Sequence, residues 1–331
     1  MLLKLFRGAG PGVMFLVFLT AAGVWFAAFN DPHLPSSFHY DQNPMPFYSL
    51  IKGIMGKSAV IGVLFSFILV LLMSFLLVNF NTTIFFISER TFLPAAIYVL
   101  FTGFFPAYQV LNPVLPASLF LMLAIRRIMD AYRINGTAYN FFDASLLIGT
   151  GSLFYANLMW FAVLAIVGIA ILRTFNLREL VLAVLGLCTP LLLTAGIYYS
   201  VGKDLKLLVT DTGYNLFQKA GDHYFSGLET AGLIITGICI LISLVHLLSV
   251  MNVKKIKSRK TFSLLIWVFV ITIVVFYLLP SASLELIFIA AIPLSYFLTH
   301  YFVSGKKQLM PEIIFTVFVI IIIIQQILYR K

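Results

Sequence analysis

Unbroken apolar runs of membrane-spanning length recur along this chain, and they constrain it more than any other feature. Runs near residues 11–29, 58–87, 92–108, 111–129, 138–154, 155–173, 179–200, 229–250, 261–279, 283–303 and 311–329 reach the roughly 17 residues with which a helix crosses hydrocarbon. Membrane barrels instead alternate apolar and polar residues. With 61% hydrophobic and 10% charged residues, against about 25% charged in a soluble domain, a water-soluble fold and a disordered chain are both excluded. The expectation is an all-α, polytopic transmembrane helical bundle with about eleven membrane helices.

Two of these divisions need a physical reason, because no charged linker separates the runs between Phe92 and Met129 or between Ala138 and Leu172. As a single helix the second stretch would extend about 52 Å, against a hydrocarbon core of roughly 30 Å. Each is therefore expected to be a hairpin, the first turning around Pro106, Asn112 and Pro113, the second between Gly149 and Asn157. The chain then runs with its N-terminus in the cytoplasm, the start MLLKLFRGAGPG reading as an uncleaved signal-anchor. Of the 22 basic residues, fifteen fall inside, among them Lys4, Arg7, Arg90, Arg126, Arg127 and the run from Lys254 to Lys260. Removing either hairpin would send MNVKKIKSRK outside. The net charge of +10 follows from this asymmetry, and nucleic-acid binding is not expected. Cys188 and Cys239 both lie within apolar runs and give no disulfide or metal spacing.

Only two outer connections are long, residues 30–57 and 201–228, so a site on that face would be built there. In the first, Met45, Phe47, Leu50, Ile51, Ile54 and Met55 recur at helical spacing, which predicts a short amphipathic helix in the interface plane with Lys52 and Lys57 reaching headgroups. Asp31, within Asn30-Asp31-Pro32-His33, is the candidate catalytic carboxylate: Pro32 holds it out of helical geometry, and a carboxylate there can act as a general base or bind a divalent metal ion. The alternative is that Asp31-Pro32 only stops the helix. His33, His39 and Asp41 are placed to join Asp31 in a metal or phosphate site or to be ordinary interfacial residues, and spacing decides neither. Asp143 is expected to pair with Arg126 or Arg133, Glu229 and Glu285 to sit structurally at outer helix ends, and His246 to lie near an inner helix end without an acidic partner. Scarce intramembrane charge disfavours an ion-coupled transporter, although helices broken at Pro190, Pro280 and Pro293 leave a transport site open. No P-loop, dinucleotide fingerprint, HExxH or nucleophile elbow is present.

The layout resembles the GT-C membrane glycosyltransferases: a cytoplasmic start, one helix, an outer loop opening on an acidic residue (FNDPHLP), a short amphipathic helix (PFYSLIKGIMG), then coupled hairpins (RTFLPAAIYVLFTGFFPAYQVLNPVLPASLFLMLAIRRIMDAYR). It is also similar to a group of Bacteroidota inner-membrane proteins. The GT-C resemblance covers about residues 1–200 of a single membrane domain, 1–331, with 201–228 an outer loop and 229–331 additional C-terminal helices. It implies transfer from a polyprenyl-phosphate sugar donor at the outer face of the inner membrane, with Asp31 as the acid and Lys203 or Lys206 facing the phosphate. The first outer loop is short and lacks a paired acid motif, which leaves a non-catalytic subunit with a membrane protein partner as the other reading.

Overall fold

The computed structural model describes residues 2–32, 39–132, 138–172, 176–220, 227–304 and 309–328. Among them every regular element is helical: α1 (Leu2–Phe6), α2 (Pro11–Val24), α3 (Phe26–Asn30), α4 (Pro46–Met55), α5 (Ala59–Ile84), α6 (Leu93–Thr102), α7 (Val114–Asp130), α8 (Ala138–Ser152), α9 (Val163–Leu172), α10 (Leu177–Ser200), α11 (Leu205–Phe217), α12 (Gly227–Val250), α13 (Ile256–Leu278), α14 (Ile287–Ser304) and α15 (Leu309–Leu328), joined in places by short 3₁₀ turns. Six helical segments are long and apolar enough to cross a membrane: Ala59–Ile84, Leu177–Ser200, Glu229–Val253, Ile256–Leu278, Leu284–Ser304 and Leu309–Ile327. The segment from Leu284 to Ser304 forms the centre and is buried along most of its length. By contrast α10 and α12 present Leu192, Leu193 and Ile197, and Ile234, Ile238 and Leu241, outward. A helix apolar on all sides with one face left open suits contact with lipid tails.

The chain breaks at both places where a turn is expected, but the helices flanking them are shorter than the runs imply. α6 has ten residues, about 15 Å of rise, and ends at Gly103, after which the chain continues irregularly through a turn at Pro106–Tyr108 to Pro113. Irregular backbone at membrane depth needs protein partners for its polar groups. They are supplied by side chains: Gln326 Nε2 donates to Gly103 O at 2.7 Å, Ser66 Oγ to Val110 O at 2.9 Å, and Gln109 Nε2 reaches back to Val24 O at 3.2 Å. The second turn follows Ser152, with a 3₁₀ segment at Ala156–Ala162 leading into α9. α8 and α10 approach closely through glycine. A methyl group on Gly186 would fall 2.3 Å from the Phe142 carbonyl oxygen, and one on Gly149 would fall 2.7 Å from Leu187 O. Small residues at such crossings let backbones pack where no hydrophobic drive separates protein from lipid.

At one end of the bundle α1 is clamped in place. Arg7 donates to both carboxylate oxygens of Glu89, at 2.9 and 2.7 Å, and to Val303 O at 3.1 Å. These hydrogen bonds hold the Glu89 carboxyl below the ordinary carboxylate range. Leu3 N donates to Glu312 Oε1 on α15 at 3.3 Å. On this same side Asp143 pairs at 3.5 Å with Arg127, in the last turn of α7, rather than with Arg126; Arg133, the other expected partner, lies outside the described residues.

Candidate functional site

At the other end the first long connection, described from residue 39, folds against the bundle. Residues His39–Asp41 form a 3₁₀ turn, and α4 starts with Pro46 in its first turn, where the missing N–H costs nothing. Lys52 Nζ donates to Asp41 Oδ1 at 2.8 Å and Asp41 O at 3.1 Å, and the Tyr48 hydroxyl lies 3.2 Å from Asp41 Oδ1 and 3.3 Å from Leu111 O. Burial pushes the Asp41 carboxyl above the ordinary carboxylate range, opposed by Lys52 and Tyr48. The same burial raises the phenols of Tyr40 and Tyr48.

The expected amphipathic helix is thus present as α4, but its apolar residues are divided between two surfaces. Ile51 and Met55 pack toward Leu111 and Phe65, whereas Leu50 and Ile54, 63% and 69% exposed, point away. Lys52 turns inward to Asp41 rather than outward to headgroups.

The second long connection contains a helix that apolar-run counting does not show. Asp204 caps it, accepting from Lys206 N at 2.9 Å, and α11 lies against the first connection. Tyr214 Oη donates to Gln42 Oε1 at 2.7 Å, and Asn215 Nδ2 donates to Asn43 O at 2.6 Å. Met45, Ala156 and Leu216 close an apolar contact beneath these bonds.

Below the two connections sits a buried polar cluster drawn from distant parts of the chain. Glu285, 0% exposed, lies in the 3₁₀ turn that leads into α14. Its carboxyl accepts from the Tyr155 hydroxyl at 3.3 Å and from the Ser283 hydroxyl. Asn157 Nδ2 donates to Tyr155 Oη at 3.2 Å, and Ser281 Oγ lies 3.1 Å from Asn157 Oδ1 and 2.8 Å from Leu216 O at the end of α11. Buried polar groups are retained when each finds a partner, and here they bond one another. From Ser283 a groove of about 380 Å³ runs sideways between α12, α13 and α14, lined by Phe104, Thr236, Phe276, Tyr277 and Ala290 among others. The Thr236 hydroxyl is buried there with no hydrogen-bond partner among the described residues. A polar cluster joined to a mostly apolar groove is the shape that takes an amphiphile, head at one end and chain at the other.

Of the residues singled out by sequence, Asp31 closes α3, its N–H donating to Ala27 O at 3.1 Å, and is exposed. Asp41 is held by Lys52. Lys203 and Lys206 are exposed at the junction of α10 and α11, the Lys203 ammonium 5.2 Å over the Tyr198 ring. His33 and the side chain of His39 lie outside the described residues. Among the described residues no three His, Cys, Asp or Glu side chains gather as a metal site. Tyr155, Asn157, Ser281 and Ser283 were not legible as site residues. Their only sequence signal is that polar residues interrupt apolar runs at predicted turns.

No curated protein and no solved structure matches the chain. The profile of DUF6427, a family of unknown function, matches residues 48–330. The match takes in Tyr48, Lys52, Tyr155, Asn157 and Glu285 and begins after Asp31 and Asp41. Extending over most of the chain, it shows that this protein belongs to the DUF6427 family.

Proposed function

We propose that this protein handles a polyprenyl-phosphate-linked sugar at the outer face of the inner membrane, as a GT-C-like transferase. The observation that carries the reading is the convergence of both outer connections over the Glu285 cluster, with a lipid-sized apolar groove leading away from it. In this reading the acceptor hydroxyl attacks the anomeric carbon, Asp31 takes the hydroxyl proton, and the polyprenyl phosphate leaves toward Lys203 and Lys206. The experiment is photolabelling with a polyprenyl phosphate carrying a diazirine in its chain. Labelled peptides are expected from α12 and α13 around the groove, with about tenfold less label in Ala290→Trp, which fills it. Label spread evenly over the outward faces, α10 included, would remove the proposal.

The path proposed with it crosses the membrane eleven times from a cytoplasmic N-terminus. That path assigns residues 2–7, 89–92 and 303–312 to the inner side and 41–55, 111, 155–157, 204–217 and 281–285 to the outer. The polar contacts described above at the two ends join residues assigned to the same side, which supports it. A cysteine replacing exposed Gln218 is expected to react with an impermeant maleimide in spheroplasts and one replacing exposed Lys255 is not. Labelling of the Lys255→Cys variant from outside would overturn the orientation. A second reading, a non-catalytic subunit docked to another membrane protein, is favoured by one observation: Asp41 and Glu285 are already engaged by donors of the chain itself.

A further inference from the structure

At the opposite end of the bundle from the Glu285 cluster, α12 and α14 bring two imidazoles together. The rings of His246 and His300 lie 5.6 Å apart, centroid to centroid, and His300 is only 2% exposed. Nδ1 of each ring is buried without a hydrogen-bond partner among the described residues. A buried polar atom is costly to leave unpaired, so two on neighbouring rings mark a place that a ligand can complete. The walls are aromatic: Tyr301 meets His246 at 5.3 Å and Phe262 meets His300 at 5.2 Å.

The third polar member decides the sign of the ligand. Lys254, in the chain just after α12, sets its ammonium 5.4 Å over the Phe262 ring, the same ring that meets His300. Paired imidazoles alone would suit a transition metal through their lone pairs. An ammonium beside them repels a cation and attracts an anion. With Nδ1 protonated on each ring, the imidazole N–H groups and the ammonium are all donors, and tetrahedral phosphate oxygens accept from such a set. His246 and His300 lie in the last two turns of the spans Glu229–Val253 and Leu284–Ser304, next to Lys254, Lys255, Lys257, Arg259 and Lys260, whose charge suits an anionic lipid headgroup.

We propose that His246, His300 and Lys254 bind a phosphate group, that of an anionic lipid headgroup, at a site separate from the outer groove. The test uses the purified full chain in an uncharged detergent. Phosphatidylglycerol is expected to raise its melting temperature and diacylglycerol, which lacks the phosphate, is not. Lys254→Gln and His300→Phe are each expected to need about tenfold more phosphatidylglycerol for the same shift, the loss of one charge-assisted contact. His300→Phe keeps an aromatic ring in an apolar setting, and Lys254→Gln changes only a half-buried side chain, so the second carries the test if the first folds poorly. An equal shift from inorganic phosphate, lost in the same variants, would identify free phosphate as the ligand of the same site. An unchanged phosphatidylglycerol response in Lys254→Gln, or a shift with zinc chloride in place of the phosphate compounds, would overturn the proposal.

Discussion

Asp31→Asn should reach the membrane in normal amount and lose sugar transfer by about 10²–10⁴-fold, the usual contribution of a positioned general base. Insertion should survive because what ends α3 is independent of charge: the Asp31 N–H bonds Ala27 O, and Pro32 blocks continuation of the helix. Asparagine keeps the size of the side chain and an acceptor oxygen but cannot take a proton. The measurements are complementation of a deletion strain, the amount of protein in isolated membranes, and transfer from a polyprenyl-phosphate sugar by purified protein. Asp31→Glu retains the charge and moves the oxygens by about one methylene, and misplacement of roughly 1 Å can cost 10²-fold. Partial activity is therefore expected from it. Full complementation by Asp31→Asn would show the carboxylate dispensable and leave the non-catalytic subunit as the better reading, whose own test is co-purification with a stable membrane partner.

The second large effect is on stability. Glu285→Leu removes the acceptor for both Tyr155 and Ser283 and leaves the Tyr155 hydroxyl buried without it, whereas half-buried Ser283 opens on the groove. At about 1–3 kcal/mol for an orphaned buried group, the loss should be about 1–3 kcal/mol. Glu285→Gln keeps one acceptor oxygen and the shape of the side chain and should cost much less. Adding Tyr155→Phe to Glu285→Leu should return part of the loss, because removing both partners of a buried pair is gentler than removing one. Melting of the purified variants in one detergent checks all three. If Glu285→Leu melts with the parent protein, the cluster does not hold this end of the bundle together.

Hydropathy made the all-helical character and the apolar helices legible, and helix length made the two breaks legible. Pro106 and Pro113 bracket a break that the structure places between Gly103 and Pro113, and Gly149 to Asn157 brackets the second. What remained hidden was of two kinds. α11 contains Lys206, Asp211, Thr212 and Asn215 among its apolar residues, so a search for apolar runs passes over it, although Asp204 gives it a capping signal. The polar cluster depends on pairs 124 and 130 residues apart, Ser281 with Asn157 and Glu285 with Tyr155. No local pattern encodes which distant turn a serine or glutamate will meet. Glu285 therefore read as the end of a helix, when its neighbours make it the floor of the candidate site. The same limit applies to His246, whose partner is an imidazole 54 positions further along rather than the acid sought beside it.

The clamp on α1 bears on how the protein is made. Leu3 bonds a residue 309 positions later, and Arg7 bonds one 296 positions later. At roughly 5–20 residues per second of synthesis, the segment carrying Leu3 and Arg7 waits on the order of 15–60 seconds for the helix that will hold it. Until α15 arrives, Phe6 lacks the Phe315 ring that it meets at 5.7 Å, and the Arg7–Glu89 pair has no carbonyl from the end of α14 to close over it. A chain cut short before α14 and α15 therefore leaves α1 undocked, and a membrane protease that reads loose segments can tell such a copy from one in which these helices are in place.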